Sequence, residues 1–283
     1  MSTPASEGFE ADRWAGEMGE RWNRHLDQFE SSIEAFGTAA IATAHFKAGE
    51  HVLDIGCGGG PTTLAIAKVV GPSGSVTGID VSPTLIETAR RRGVALANVE
   101  FVCGDAATAD VLGAPFDRLF SRFGVMFFDD PYAAFAHLRS LVKTKGRALF
   151  ACWGPIEQNP WMSELASVPR RYLSLPPPDA RAPGPFAFAD RAYFTDILTR
   201  AGFTDVSFEA CRGEQLFGGP GSTAEAAADF VVQALPIGDL LKEQPEAIQQ
   251  HALEDLRAIL KKYETPAGVR LNAMAWLVSA TAG

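Results

Sequence analysis

Basic residues are in the minority in this chain. Among its 283 residues, 25 lysines and arginines face 34 aspartates and glutamates, a formal net charge of -9 at pH 7. Nucleic-acid affinity comes mostly from neutralised phosphates, so this acidic balance argues against a nucleic-acid partner. The longest basic run, Arg90-Arg91-Arg92, fits the end of a helix, where cations suit the negative end of the dipole. Long apolar runs are missing too. None approaches the roughly 20 residues that span a bilayer, so no membrane span is expected. The N-terminus, MSTPASEGFEADRW, is polar and acidic, unlike a secretory signal. Cysteine is sparse. Cys57, Cys103, Cys152 and Cys211 stand far apart, without metal-ligand spacing, so neither a metal site nor a dense disulfide framework is expected. They read as reduced thiols of a cytoplasmic protein. No internal repeat is found.

What is present is enough apolar sequence for a full core. The chain is 47% hydrophobic, which suits one large domain over residues 1–283. Trp14, Met18, Trp22, His25 and Phe29 recur at intervals of three and four, which predicts an apolar helical stripe. Residues 37–46 predict a second, alanine-rich helix. Short apolar runs then alternate with amphipathic stretches. Strands are expected at 51–55, 75–79, 99–103, 116–121 and 146–153, and helices at 61–70, 82–92, 105–112 and 131–141. This alternation with short loops predicts an α/β fold, a mainly parallel sheet doubly wound by helices. After Trp153 the chain is proline-rich, with Pro176-Pro177-Pro178, Pro183 and Pro185, and long regular elements are not expected. A helix at 190–201, a strand at 205–211, helices within 222–264 and a last strand at 269–280 complete the pattern. The simplest division is an N-terminal helical segment (1–48), a core (49–153), and two insertions (154–189 and 213–267) that cover the strand ends as a lid.

The chemistry concentrates in HVLDIGCGGGPTTLAIA, residues 51–67. A buried strand enters a glycine turn, Gly56-Cys57-Gly58-Gly59-Gly60, and the turn enters a helix. Ligands of such sheets bind beyond the carboxyl ends of the strands, and glycines let the backbone approach them closely. Pro61 suits the first helical turn. It also stands where the nicotinamide fingerprint wants glycine or alanine, and Pro61-Thr62-Thr63 lacks the lysine of a phosphate loop. Three carboxylates follow the first three strands. Asp54 lies at the first strand's end, Asp80 closes the second and suits two ribose hydroxyls, and Asp105 suits an adenine amino group. Together they fit a ligand with a ribose, an adenine, a cationic portion and no phosphate. Each has a structural alternative. Asp54 can orient the turn, Asp80 can cap the helix that begins near Ser82, and Asp105 can cap the next one.

In these residues the chain resembles the class I S-adenosylmethionine-dependent methyltransferases. VLDIGCGGG looks like their first motif, GIDVS their second and CGDA their third. FDRLFSRFGVMFF looks like the fourth-strand motif and LRSLVKTKGRALFACW the following helix, turn and strand. The matched core covers roughly residues 48–153. NPWM (159–162) and PGPFAFAD (183–190) resemble a bacterial small-molecule branch of that family. The resemblance implies a Rossmann-like methyltransferase fold with a seven-stranded sheet, and S-adenosylmethionine as cofactor. It implies that Gly56, Cys57 and Gly58 pack on the methionine and ribose, that Asp54 holds the amino group, and that Asp80 binds the ribose. Val81, Ser82, Asp105 and Ala106 would meet the adenine, and Ser121, Arg122 and Phe123 would close the methionine end.

Methyl transfer from a sulfonium needs alignment and exclusion of water more than acid-base machinery. No catalytic residue is therefore assigned, and His25 and Arg122 are the candidates. Arg122 is expected to pair an acidic substrate or the methionine carboxylate, or to make a structural ion pair. Trp22, Phe123, Trp153, Trp161, Phe186 and Phe188 suit an apolar substrate pocket in which aromatic faces attract the sulfonium, or else plain core. Asp129 to Tyr132, DDPY, resembles the motif of amino methyltransferases of nucleic bases, but it has one proline and lies past the expected strand end, so Pro131 reads as a helix opener. The expected activity is methyl transfer to an oxygen, nitrogen or carbon of a small-molecule acceptor. The alternatives are a catalytically silent cofactor- or partner-binding module and a nicotinamide-dependent oxidoreductase. Oligomeric state is left open.

Overall fold

The computed structural model describes residues 10–177 and 179–283. The first nine residues, where the predicted N-terminal helical region begins, and Pro178 lie outside the described residues. Strands are β1 (His51–Ile55), β2 (Ser75–Asp80), β3 (Val99–Cys103), β4 (Phe116–Arg122), β5 (Val142–Trp153), β6 (Phe203–Phe217), β7 (Glu264–Thr265) and β8 (Gly268–Ala282). Helices are α1 (Glu10–Ala15), α2 (Glu17–Arg24), α3 (Leu26–Ala44), α4 (Pro61–Val70), α5 (Pro83–Gly93), α6 (Pro131–Ser140), α7 (Pro160–Ser167), α8 (Pro169–Tyr172), α9 (Arg191–Arg200), α10 (Ala224–Ala234), α11 (Pro236–Lys242) and α12 (Glu246–Lys261).

The strands form one sheet in the order β3-β2-β1-β4-β5-β8-β6, and β7 pairs with β8. The sheet therefore has eight strands where seven were expected. The extra one is the two-residue β7, which folds back on β8 through Thr265 and Gly268. From β3 to β5 every pair is parallel, while β8 runs antiparallel to both β5 and β6. Since β8 alone reverses along that path, β6 ends on the same edge of the sheet as β1.

Neighbouring residues on each strand feed opposite cores, as the pleat requires. Val52, Phe120, Leu149 and Leu277 pack with Ala40 and Ala44 of α3 and Ile66 and Val70 of α4. Their neighbours Leu53, Leu119, Phe150 and Val278 join the core that holds Phe135 of α6 and Phe194 of α9. Both faces are covered, so the strands are apolar on both sides.

Four expectations are corrected. Residues 105–112 are turns rather than a helix. The Asp105 carbonyl accepts the N–H groups of Thr108 and Ala109, and then the ladder stops, because the Ala109 carbonyl bonds the His137 ring instead. The break expected near Gly37 is absent, and α3 runs unbroken through it. β5 begins at Val142, four residues early, and β6 continues to Phe217, six residues beyond its expected end. Arg212, Gly213 and Glu214 look like loop residues, but each pairs with β8 in register, and tertiary pairing overrides local propensity. Past Trp153, where β5 ends, β6 and β8 stand up as a two-stranded wall about 20 Å tall at ~3.3 Å per residue.

The amino edge of the sheet is held by Arg118. Its side chain is buried, its Nε donates to Glu50 Oε1 at 2.8 Å, and an Nη donates to the His45 carbonyl. Arg118→Met strands the Glu50 carboxylate in a mostly buried position. Denaturant unfolding is expected to show a loss of about 1–3 kcal/mol, with ligand binding at the opposite edge unchanged.

Candidate functional site

The carboxyl edge of the sheet opens into a cavity of ≈ 280 Å³. Its floor is the glycine turn. Gly56 has φ +66° and Gly58 φ +55°, the left-handed region open to glycine. A Cβ on Gly56 would lie 2.7 Å from Gly124 Cα, so the turns after β1 and β4 touch backbone to backbone. A Cβ on Gly58 would meet nothing within 4 Å among the described residues. One glycine is thus required by a neighbour, and the other faces open space.

Asp80 stands at the edge of this floor. Its Oδ2 accepts the Gly58 N–H and its Oδ1 the Ser82 N–H, both at 2.9 Å. The helix cap that competed for Asp80 is supplied by Ser82, whose Oγ accepts the Leu85 N–H. Burial raises the Asp80 pKa, and the two backbone N–H groups oppose that rise. The carboxylate is therefore fixed in the cavity wall with one donor on each oxygen, which leaves lone pairs for a ligand. Asp105 is also in the wall. Its Oδ1 accepts the Ala107 N–H in a local turn, and no helix follows for it to cap.

Asp54 is placed differently. It lies under the turn, fully buried and outside the cavity wall. Its Oδ2 accepts the hydroxyls of Thr62 (2.7 Å) and Thr63 (2.6 Å), and its Oδ1 has no partner among the described residues. Burial pushes its pKa up to about 6, against the pull of both hydroxyls and of Arg122. Arg122 lines the cavity with its Nε buried and without a partner among the described residues. Burial lowers its pKa, against the pull of the Asp54, Glu30 and Glu34 carboxylates. Gly37 explains how the guanidinium fits beneath α3. A Cβ there would sit 3.0 Å from Arg122 Cδ and 3.2 Å from an Nη.

The remaining expected residues divide in two. Gly56, Cys57, Gly58, Val81, Ala106, Phe123, Trp22, Trp153 and Trp161 join Asp80, Asp105 and Arg122 around the cavity. Ser82, Ser121, Phe186, Phe188 and His25 do not line it. Ser121 Oγ donates to the Ile55 carbonyl and accepts the Gly124 N–H, so it fastens the two turns from below. Phe188 stacks on Phe194 at 4.2 Å in the core, while Phe186 stacks behind Trp161 at 5.8 Å. His25 precedes α3 and meets the edge of Phe230 at 6.0 Å, and burial lowers its pKa. Burial also raises the Cys57 thiol well above its ordinary value, so it stays neutral.

Phe123 holds a left-handed backbone, φ +63°, and its ring stacks on Trp153 at 4.1 Å. Such strain in a non-glycine residue gathers at functional sites. Trp14 and Met18 come from the N-terminal helices, and Trp22 stacks on Phe29 at 3.8 Å. Gln215 and Phe217 come from the tall end of β6, and Phe230 from α10. Arg21 binds Asp239 through two hydrogen bonds of 2.6 and 3.0 Å, which joins α2 to α11 beside the cavity. The helical stripe signalled Trp14, Met18, Trp22 and Phe29, and the fourth-strand motif Phe123, whereas nothing in the sequence signalled Gln215, Phe217 or Phe230.

The raised pKa of Asp54 has a stability consequence. A carboxyl group that holds its proton more tightly when folded favours the folded state below its unfolded pKa. That advantage is lost as pH rises through the folded value. Between pH ~4 and ~6 Asp54 is expected to withdraw on the order of 3 kcal/mol. Urea unfolding across this range should show a flatter profile for Asp54→Asn, and an unchanged slope would mean that the group ionises normally.

Residues 52–146 match a family model described as a methyltransferase domain. The aklanonic acid methyltransferase DauC of Streptomyces sp. (strain C5) is 36% identical over 104 residues, 36% of this chain and 47% of that protein. A demethylmenaquinone methyltransferase of Staphylococcus aureus is 34% identical over 100 residues, 35% of this chain and 42% of that protein. The chain thus spans less than half the length of these curated relatives. The crystal structure of YcgJ from Bacillus subtilis aligns with 88% of this chain and 98% of that chain, at TM-score 0.56 and 17% identity. Phosphoethanolamine N-methyltransferase 2 of Haemonchus contortus aligns with 99% of this chain and 61% of that chain, at TM-score 0.57 and 15% identity. These likenesses concern the fold. Residues 52–146 thus carry the likeness to a methyltransferase domain, within a chain whose fold is that of the two solved structures.

Proposed function

We propose that the protein transfers a methyl group from S-adenosylmethionine to an apolar small-molecule acceptor. The observation that carries this reading is the Asp80 carboxylate, pinned by two backbone N–H groups beside the open space at Gly58. The cavity suits the cofactor group by group. Asp80 accepts the ribose hydroxyls, and Asp105 and Ala106 take the adenine edge. Gly56 to Gly58 leave room for the chain between them, and Arg122 offers its unpartnered Nε to the methionine carboxylate. Asp54, fully buried under the turn, acts through the field it sets on Arg122 rather than by touching the ligand.

S-adenosylmethionine supplies a methyl group already activated as a sulfonium. The chain's task is then to align an acceptor and exclude water. The aromatic wall of Phe123, Trp153 and Trp161 does the second, and its π faces favour a cation. His25, outside the wall, takes no part as a base.

The named acceptors of the two curated relatives, aklanonic acid and demethylmenaquinone, support a small-molecule reading. We further read the chain as one domain. In this reading the N-terminal helices, the 154–189 segment and the 213–267 segment form the substrate-covering parts, the last of these starting inside β6. A cytoplasmic location fits the sparse thiols, and no described helix is long and apolar enough to cross a membrane.

Calorimetric titration tests the cofactor. Micromolar binding of S-adenosylmethionine and S-adenosylhomocysteine is expected, with none of NAD, and NAD binding alone would overturn the reading. Asp80→Ala should weaken S-adenosylhomocysteine binding by about 1–3 kcal/mol through lost hydrogen bonds, with the far-ultraviolet circular dichroism spectrum kept. A lowered Tm with unchanged affinity would leave Asp80 a purely structural role.

A further inference from the structure

Gln215 is the unexpected polar group of the cavity. It lies on β6, four residues past the end that the sequence suggested, where the strand pairs with Leu271 of β8. Only 7% of the residue is exposed, and its Oε1 is buried with no hydrogen-bond partner among the described residues. A buried amide oxygen left unpaired destabilises a protein by roughly 1–3 kcal/mol, and an apolar side chain of the same shape would avoid that.

Its surroundings give no local reason for an amide. Side chains alternate along the strand, so Gly213, Gln215 and Phe217 share one face. On that face a Cβ at Gly213 would lie 3.3 Å from the Phe36 ring, and Phe217 lines the cavity beside Trp161. Trp161 has already committed its indole N–H to Asn159 Oδ1 at 3.0 Å. The amide thus shares a strand face with the Phe217 ring, and it lines the same cavity as Asp80 and Asp105 from the far side of the sheet order. Asp80, Asp105 and Arg122 serve the cofactor on the reading above. Gln215, two strands beyond β5, is placed for what the cofactor meets.

We propose that Gln215 is a specificity-determining residue that accepts a hydrogen bond, through Oε1, from a hydroxyl or N–H group on a largely apolar, ring-bearing methyl acceptor. This rests on the methyltransferase reading. A site built around a buried hydrogen-bonding group rejects analogues that lack the partner far more strongly than an apolar pocket rejects a missing methylene. The residue positions and selects the acceptor and takes no proton in the reaction. The aromatic wall supplies affinity and the amide supplies choice.

The test uses two probes of similar shape, 2-naphthol and 2-methylnaphthalene, in equilibrium dialysis against the full chain saturated with S-adenosylhomocysteine. Saturation is established beforehand by titration, so failure of the cofactor reading shows up separately and first. The wild type is expected to hold 2-naphthol about tenfold more tightly, the worth of one net hydrogen bond. Gln215→Met, which fills similar volume without the amide, should bind the two probes equally, with S-adenosylhomocysteine affinity unchanged and a Tm equal to or above that of the wild type. Gln215→Asn, which keeps the amide on a shorter arm, should retain part of the preference. Equal binding of the probes by the wild type, binding of neither, or a preference that survives in Gln215→Met would each overturn the proposal. So would a fall in Tm for Gln215→Met, because the amide would then be satisfied within the protein.

Discussion

The backbone contact between Gly56 and Gly124 sets the geometry of everything above it. Two strands that pair side by side, β1 and β4, end in turns that press together without a side chain between them. Ser121 locks the contact by bonding the Ile55 carbonyl and the Gly124 N–H. With that distance fixed, the chain after β1 has one way to reach Pro61, through glycines with left-handed backbone. The N–H of Gly58 then points at Asp80. Phe123, just before Gly124, is forced into the same region of backbone space, and its ring comes to lie on Trp153. The cavity floor and its first aromatic wall thus follow from one close approach.

The polar groups are arranged in layers around that floor. Asp54 forms a lower layer, removed from solvent, where threonine hydroxyls and the nearby Arg122, which itself reaches the cavity wall, offset burial only in part. Asp80 and Asp105 form the layer in contact with the cavity. Opposite them the surface is mostly aromatic and aliphatic, with the Gln215 amide set into it. Buried polar atoms usually find partners. Of the four side-chain atoms found without one among the described residues, three belong to Asp54, Arg122 and Gln215, which lie in the cavity wall or directly beneath it. The fourth, Arg257 Nε, lies on α12.

Much of the parallel half was legible in the sequence. Its strands are short, apolar and bounded by glycine or proline, and the carboxylates fall at strand ends, where local pattern and function coincide. The antiparallel half was less legible because its order comes from partners. Arg212, Gly213, Glu214 and Gln215 carry no strand signal of their own and are held in register by β8, which lies more than fifty residues away in sequence. Asp105 misled in the other direction, since an acid before alanines reads as a helix start, while His137 takes the carbonyl that a helix would need. The placement of Asp54, and of Phe188 in the core, could not be read from spacing, because pocket wall and core draw on the same residue types.

The glycine in the middle of α3 carries a lesson for anyone who would make this protein hardier. By helix propensity alone, Gly37 is a flaw, and alanine there would be favoured by about 1 kcal/mol. In the folded chain that missing methyl is the recess in which the Arg122 side chain rests. A redesign guided by helix propensity alone would fill it, and the crowded guanidinium would have to shift at the very place where the glycine turn and α3 meet.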